Sequence, residues 1–568
     1  MASWELSPLY RHAHSVLVAD SHRLATLHRD RVVLRALDTL QVLRTWALPL
    51  ASAHSLAAAP APPHYLLVAA PRAHTAFVLD PDQDGVYARL DVGNEGAEAV
   101  QWAQLGPAGE AVVMSWSAHH ARSTSPRMRL SLFRLADPAN GLHILNPKHV
   151  AAGYAFRPDG AFLAVLERHY SRDVVGVYST TAWALVRSIP LQDPNSDLAD
   201  LSWSPCGRYI AAWSAVTDYI LHILTPDGRL LSTYTPYASL SPPTPSTTTS
   251  STARAPRRKL AAVGPAPAPP SQMSAHDAAR TERSTASFVG LGIRCVRWAP
   301  SGECVAVGGW DGRIRVLSRH AWKAVAELGL PNRVVEPVTV WREPLGWVEK
   351  TRGKGIVSFD LATLPHSLTP LPPNFAAPVP RMGVAKLEWS PSGRWIAAWD
   401  AAHPHLIAIY AFPLPSLEGA APPSRPALHT ILSHAAPPPS SSTPSSQGTI
   451  RTFAWQPPVA KDEGDGDETL VMLSGEKGFT LWRTLAAGGG VAECVGIPAP
   501  ADVPFPASTL AFAPDGRAAL LSAPSTAAKD GEGTFCVAYP VDDAIDGAEA
   551  DGGAAGRTWL SEEADLGA

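Results

Sequence analysis

The chain has little cysteine, and none of it at metal or redox spacing. Its five cysteines, Cys206, Cys295, Cys304, Cys494 and Cys536, never fall as C-x-x-C, and an odd number makes a poor disulfide framework. Reduced, buried thiols of a cytosolic protein are the reading this supports. Charge is also nearly balanced, at net −4 with a pI of about 6.6, so the basic face of a general nucleic-acid binder is missing. The amino-terminal MASWELSPLYRHAH has no apolar core of a signal peptide. No stretch of about 18 apolar residues escapes proline or charge, so no membrane-spanning helix is expected. The expectation is a soluble intracellular protein with no membrane association.

The motifs of common enzymes are absent too. There is no G-x-S-x-G, no H-E-x-x-H, no Walker loop and no dinucleotide fingerprint. RGKG at Arg352–Gly355 lacks the upstream glycine of a Walker loop. The pairs His119-His120 and His403-Pro404-His405 have no second ligand cluster at metal spacing and read as surface histidines. No metal and no cofactor are expected, and the chain reads as non-enzymatic. One false friend is DPDQDGVYARLD, where Asp80, Asp82, Asp84, Gly85 and Asp91 fall at EF-hand loop positions. The twelfth position lacks its glutamate and the flanks read as strands, so a blade hairpin with an acidic turn is the reading.

What the chain has instead is a repeated cassette. It reads YAFRPDGAFLAV around Phe156, LSWSPCGRYIAAW around Trp203, VRWAPSGECVAV around Trp298, LEWSPSGRWIAAW around Trp389 and LAFAPDGRAALL around Phe512. Each copy has an aromatic residue, proline two positions on, glycine four on, then an apolar run. In the copy at Trp203, Leu201 and Trp203 alternate with Ser202 as one face of a strand would, Pro205 ends that strand, and Cys206-Gly207 turns the chain. Ile210 to Trp213 is then continuously apolar, as suits a strand covered on both faces. The second halves repeat as well: Val177, Ser179, Ala182, Trp183 and Val186 match Val316, Ser318, Ala321, Trp322 and Val325 at identical spacing. Four short strands recurring at about 40–45 residues are the signature of a β-propeller blade.

Weaker copies occur around Trp102 and Trp455, and two more, near HSVLVADSHRLATL and HSLAAAPAPPHYLLVAA, have lost the aromatic. The count predicts an all-β, WD-repeat-type propeller of about nine four-stranded units in one enlarged ring; the alternative is a seven- or eight-bladed ring with extra strands. Trp102, Trp203, Trp298, Trp389 and Trp455 are repeat positions and read as core anchors rather than ligand-stacking groups. The division is 1–238 for the amino-terminal blades, 239–286 for a disordered Ser/Thr/Pro-rich basic insertion, 287–540 for the carboxy-terminal blades with disordered insertions near 412–447 and 461–468, and 541–568 for an acidic disordered tail. Extending a loop from five to about 45 residues costs only roughly 2 kcal/mol of closure entropy, which a large ring tolerates.

One stretch breaks the blade rhythm. WREPLGWVEKTRGKG, Trp341 to Gly355, reads as a protruding hairpin whose Trp341 and Trp347 beside Lys350 and Arg352 have the makeup of partner-binding anchors; an irregular blade edge is the alternative. On the first reading, Trp347→Ala loosens partner binding without unfolding the ring.

Four stretches carry a family resemblance: GYAFRPDGAFLAVLERHYSRDVVGVYSTTAWALVRSI, LSWSPCGRYIAAWSAVTDYILHILTPDGRLLSTYTPY, VRWAPSGECVAVGGWDGRIRVLSRHAWKAVAELGLP and MGVAKLEWSPSGRWIAAWD. They lie between residues 153 and 400, and in blade order and in DGRLLSTY they resemble the WD-repeat-containing protein 8 family, also described as the WD-repeat protein antisense to the tumour-suppressor gene. The chain departs from that family in its long insertion after Tyr237. The resemblance implies a non-enzymatic scaffold of the cytoplasm and cytoskeleton, at the centrosome or spindle pole body. It would bind a coiled-coil anchoring protein that tethers microtubule minus ends, with a minus-end-directed kinesin and gamma-tubulin-containing assemblies as further partners and no direct nucleic-acid contact. Two other readings stand beside it: a propeller like that of translation initiation factors, which binds the ribosome, and a propeller hydrolase with its site in the central channel.

Overall fold

The computed structural model describes residues 3–12, 14–28, 30–48, 55–69, 75–91, 99–107, 111–118, 127–191, 197–214, 216, 218–237, 291–348, 355–412, 425–435, 449–459, 467–475, 478–485, 489–497, 505–523 and 533–541. Nine antiparallel sheets follow one another along these residues and form a nine-bladed β-propeller. Blades 1 to 8 occupy 14–47, 55–91, 99–145, 154–190, 198–234, 293–328, 384–433 and 450–496. Blade 9 takes three strands from the carboxy-terminal part, Thr509–Phe512, Ala519–Ala523 and Gly533–Val541, and its outer strand from the other end of the chain, Ser3–Leu6. Ser3 pairs with Val541 and Leu6 with Ala538, so the ring is closed by strand pairing between the two ends. Tyr10–His12 adds a second length of pairing to the same strand.

The core is distributed. Each pair of neighbouring blades has its own buried apolar layer, from blades 1 and 2 round to blades 9 and 1. Strand Ile210–Ser214 shows why the sequence runs apolar without alternation. Ile210 and Ala212 face the layer shared with blade 4, while Ala211 and Trp213 face the layer shared with blade 6. A strand covered on both faces needs apolar residues at both parities.

The cassette builds the turn between the first two strands of a blade. Gly160, Gly207, Gly302, Gly393 and Gly516 all adopt left-handed backbone, φ 67–76°, a conformation that disfavours any residue with a Cβ. Across each turn the residue after the aromatic donates its N–H to the carbonyl five positions on, as from Ser204 to Tyr209, Ala299 to Cys304 and Ala513 to Ala518. The same bond forms from Val18 to Arg23 and from Gly106 to Ala111, so blades without the full motif keep the turn. In blade 1, Ser21 occupies the glycine position at φ 63°. This register corrects one assignment: the anchor of blade 3 is Leu105, next to the Gly106 turn bond, and not Trp102. A bulge between Val100 and Trp102 shifts the strand, and the first strands of blades 5 to 8 carry the same irregularity.

The cassette tryptophans do more than fill space. Trp203 donates its indole N–H to the Ala155 carbonyl (2.9 Å), Trp298 to Ser202 Oγ (3.1 Å), Trp389 to the Arg297 carbonyl (3.2 Å) and Trp455 to the Glu388 carbonyl (3.4 Å). In every case the acceptor is the residue just before the anchor of the preceding blade. The tryptophans therefore stitch blade 4 to 5, 5 to 6, 6 to 7 and 7 to 8.

Of the segments read as insertions, 239–286, 461–466 and 542–568 lie outside the described residues, as does most of 412–447. Within 412–447, however, Ala427–Ser433 forms the fourth strand of blade 7. Its buried Thr430, Ile431 and Leu432 supply the apolar face that a disordered segment lacks.

Candidate protein-interaction surface

Residues 329–348 and 355–383, between blades 6 and 7, form a strap on the outside of the ring. Strand Thr339–Arg342 adds in parallel to Ala427–Ser433, the outer edge of blade 7, and is itself paired by Asp360–Leu361. Strand Ile356–Ser358 adds antiparallel to Gly490–Gly496, the outer edge of blade 8. The short pair Arg333–Val334 and His366–Ser367 ties the two limbs of the strap together. Val340 points inward and packs with Val334, Leu368 and Ile431. One segment thus caps the unpaired edges of two adjacent blades, edges that otherwise invite association.

This strap holds the sequence-predicted anchors, and it turns them inward. Trp347 is 6 % exposed and shares a core with Phe359, Trp482 and Cys494. Its ring lies so close to Gly478 that a Cβ there would sit 2.7 Å from it. Trp341 is half-buried against the same layer. Lys350 and Arg352 lie outside the described residues. The protruding hairpin is therefore replaced by an edge-capping strand, because pairing with blade 7 carries Glu343 and Trp347 beneath the edges of blades 7 and 8. The side chains the strap presents outward are Leu345 (71 % exposed) and Phe375 (77 %), with Leu361 and Val379 also exposed. Sequence reasoning missed these because their local context is proline-rich and aperiodic.

Beneath the strap, Glu343, His434 and Ser474 bring together the residue types of a hydrolytic triad. Ser474 Oγ lies 3.0 Å from His434 Nδ1, and Glu343 Oε2 lies 3.5 Å from the same nitrogen. A proton relay needs the nucleophile on one ring nitrogen and the carboxylate on the other. Here both compete for Nδ1, and His434 and Ser474 are buried. Glu343 also accepts the indole N–H of Trp347 (2.7 Å) and the backbone N–H of Ala435 (2.9 Å). Burial alone would raise the Glu343 carboxyl; the hydrogen bonds from His434, Ala435 and Trp347 outweigh it and hold the carboxyl below its ordinary range. The arrangement bolts the strap to blades 7 and 8.

Other charged groups are likewise engaged. In the acidic turn of blade 2, Asp82 is paired with Arg23 (2.7 Å) and Asp84 with Arg44 (3.2 Å), both from blade 1. Asp80 accepts the Asp82 N–H (2.9 Å) and strands Thr75–Leu79 and Val86–Asp91 flank the turn, so the EF-hand spacing builds a hairpin. No group of three or more candidate metal ligands occurs among the described residues. On the face that carries the loops between blades, Lys148 bridges Asp173 (2.6 Å) and Asp197 (2.7 Å), and Arg168 reaches the same two carboxylates. Tyr237, the last described residue before 238–290, donates to Asp311 Oδ2 (2.5 Å), which also pairs with the buried Arg315 (2.8 Å). The long insertion thus departs from a point pinned to blade 6. Cys206 is exposed in the blade 5 turn, whereas Cys494 and Cys536 are buried; all five thiols are free.

Comparison with known proteins agrees with a WD-repeat propeller. The family described as WD domain, G-beta repeat matches residues 283–318, which run through the first three strands of blade 6. The mouse WD repeat-containing protein WRAP73 is 25 % identical over 524 residues, covering 89 % of this chain and 90 % of that protein. The uncharacterized WD repeat-containing protein C32H8.09 of Schizosaccharomyces pombe is 27 % identical over 162 residues, 28 % of this chain and 31 % of that protein. Among solved structures, the Dos1 propeller is 12 % identical with a TM-score of 0.36, covering 69 % of this chain and 74 % of that one. The Cps50 (Swd1) β-propeller domain of Myceliophteria thermophila is 13 % identical with a TM-score of 0.32, covering 70 % and 96 %.

Proposed function

We propose that this WD-repeat propeller is a non-catalytic scaffold of the centrosome or spindle pole body, where it holds a coiled-coil anchoring protein and through it microtubule minus ends. The observation that carries the reading is the extent of the similarity to the mouse relative: it runs through 89 % of the chain and 90 % of the relative, the whole ring rather than one repeat. The four stretches resembling the WD-repeat-containing protein 8 family fall in blades 4 to 7, within the run of blades 4 to 8 joined by tryptophan stitches. A rigid ring needs no internal motion to act as a platform, and the exposed apolar side chains of the strap, Leu345 and Phe375, suit the apolar stripe of an amphipathic helix. The Ser474–His434–Glu343 group beneath the strap cannot pass a proton along the imidazole, so it acts as a structural bolt rather than a hydrolytic triad. Fluorescent tagging in dividing cells tests the proposal: a focus at the spindle poles is expected, and diffuse signal through mitosis overturns it. Affinity capture from the same cells is expected to retain a coiled-coil protein, and capture should fall when Leu345 and Phe375 are both changed to Ser.

A further inference from the structure

One stretch of the strap is displayed rather than packed. Every residue of Thr369-Pro370-Leu371-Pro372-Pro373-Asn374-Phe375 is exposed. Its path is dictated locally. Proline holds φ near about −65°, and a residue before proline is driven to extended backbone. Thr369, Leu371 and Pro372 each precede a proline, so Thr369 to Pro373 runs as a polyproline II helix of about three residues per turn. In agreement, none of residues 368–374 belongs to an α-helix or a strand. Asn374 then turns the chain: its carbonyl accepts the Ala377 N–H (3.4 Å) and its Oδ1 the Ala376 N–H (3.1 Å), with Phe375 in the turn and 77 % exposed.

Both ends of the stretch are held. Leu368 is buried and donates its N–H to the Asn332 carbonyl (2.9 Å), and Leu371 donates to the Ala402 carbonyl of blade 7 (2.8 Å). Beyond the turn, Arg294 of blade 6 donates to the carbonyls of Met382 and Gly383. The stretch is therefore ordered before a partner arrives, which lowers the entropy cost of binding it. Its hydrogen-bonding capacity is one-sided. The three prolines have no N–H, the N–H of Leu371 is engaged, and the carbonyls of Thr369 to Pro373 accept no hydrogen bond among the described residues. What is displayed is a row of acceptors on a stiff apolar rod. A groove lined by aromatic rings with N–H or O–H donors is its complement.

Two kinds of such groove differ in what must flank the prolines. One takes a P-x-x-P core beside a basic residue that pairs with acid at the end of the groove. The other grips a proline pair and, two positions on, an aromatic ring. The first lacks its base here, since residues 366–380 contain no lysine or arginine. The second is met by Pro372-Pro373-Asn374-Phe375. We propose that this stretch docks a WW-type domain of a partner protein, with Pro372 and Pro373 against its aromatic groove and Phe375 in the adjoining pocket. The site goes beyond the scaffold reading and does not depend on where in the cell the protein resides. Phe375 is common to this site and to the surface offered to a coiled-coil helix, so the two partners exclude one another. The prolines belong to this site alone and tell the two apart.

The test is titration of isolated, isotope-labelled WW domains that recognise proline-proline-x-tyrosine peptides with the full chain, read by NMR at the groove aromatics. Binding is expected, and a free proline-proline-x-tyrosine peptide should displace the chain. Pro373→Ala and Phe375→Ala should each weaken binding at least about tenfold, because each removes a central contact of a small interface. Phe375→Tyr keeps the ring and should bind at least as tightly. Both positions are exposed, so the melting temperature should not move. Pro373→Ala should leave capture of a coiled-coil protein intact, which separates failure of this proposal from failure of the scaffold reading. Absence of binding by every domain up to its solubility limit overturns the proposal, as does binding unchanged by Pro373→Ala. Binding of SH3 domains with none of WW domains overturns it in favour of a P-x-x-P site on Pro370 and Pro373. Should Pro373→Ala disturb the strap, the loss in Phe375→Ala and displacement by the free peptide decide the matter.

Discussion

The arc of blades 5 to 8 and the seam where blade 9 meets blade 1 join neighbouring sheets by different chemistry. In the arc the anchor of every blade is a tryptophan, and each indole N–H reaches back to the preceding blade at 2.9–3.4 Å. At the seam the anchors are Phe512 and Leu17, which have no hydrogen to donate. There the join is made by the chain end: Ser3–Leu6 pairs with the strand ending at Val541, Val537 donates to Ser7 Oγ (2.9 Å), Tyr539 hydrogen-bonds the Leu37 carbonyl, and Ser15 and Ser522 meet at 2.8 Å. A stitch is a local bond, worth about 1 kcal/mol net. A strand contributed by the far end of the chain is a cooperative element, so the seam concentrates in one place what the arc spreads over four interfaces.

The comparison breaks most visibly if the seam is opened. Deleting residues 1–12 removes two pairings with Gly533–Val541 and the stack of Tyr10 on Phe535 (5.3 Å). We expect this to remove most of the ~5–15 kcal/mol that holds a domain folded. Loss of a cooperative melt is the expected result; a truncated chain melting within a few degrees of the full one would show that the ring does not depend on its seam. The arc has a counterpart in the strap. Trp347→Ala empties a buried site between blades 7 and 8 and orphans one hydrogen bond to Glu343, for an expected cost of about 3–5 kcal/mol in denaturant titration. A cost below about 1 kcal/mol, with partner capture lost, would instead restore Trp347 as a surface anchor.

Acid separates the two regions. Burial pushes the His12 imidazole, on the seam, down to about 4 from 6.5. Above 6.5 it is neutral in both folded and unfolded chains and has no effect. As pH falls from 6.5 towards 4 the unfolded chain takes up a proton that the folded seam refuses, so stability declines by up to about 3 kcal/mol. Glu343 beneath the strap behaves differently: its lowered carboxyl contributes stability that is complete above its ordinary value of 4.5 and is lost only as pH falls through its still lower folded value. Hydrogen exchange at pH 5 should therefore show the strands at 10–12 and 533–535 losing protection while 339–342 and 427–433 keep it. His12→Gln should remove the difference. Equal loss in both regions would contradict the assignment.

Much of this was legible in the sequence, and what was not has specific causes. The cassette yields the nine units and the turn glycines because both are local: an aromatic, a proline and a glycine at fixed spacing demand one backbone path. The stitches are invisible, since the acceptor lies in the preceding blade, 48 to 96 residues away. The blade 3 anchor is misread because Trp102 attracts attention while a bulge moves the register to Leu105. The strap is hinted at by the long interval between Trp298 and Trp389, but an aromatic and basic composition does not distinguish an interface anchor from a strand capping an edge.

The stitches themselves can be tested in both directions. Trp389→Phe removes the donor to the Arg297 carbonyl and leaves a small gap, at an expected cost of about 1–2 kcal/mol. The reverse exchange, Phe512→Trp, has the smaller effect and asks whether the rule of the arc extends one interface further, from blade 8 to blade 9, beside the seam. Phe512 is half-buried, whereas Trp203, Trp389 and Trp455 are only 6–8 % exposed, so blade 9 has room at this position for the larger ring. By the rule of the arc the new indole would donate to the carbonyl of Ala454, the residue before the blade 8 anchor. A gain of about 0.5–1 kcal/mol is expected, read as a shifted denaturant midpoint at unchanged slope. No gain would mean that a stitch requires the blade spacing found in the arc. A gain of the expected size would mean that the interface of blades 8 and 9 lacks only the donor, and that the run of stitches stops at blade 8 for want of a tryptophan rather than of an acceptor.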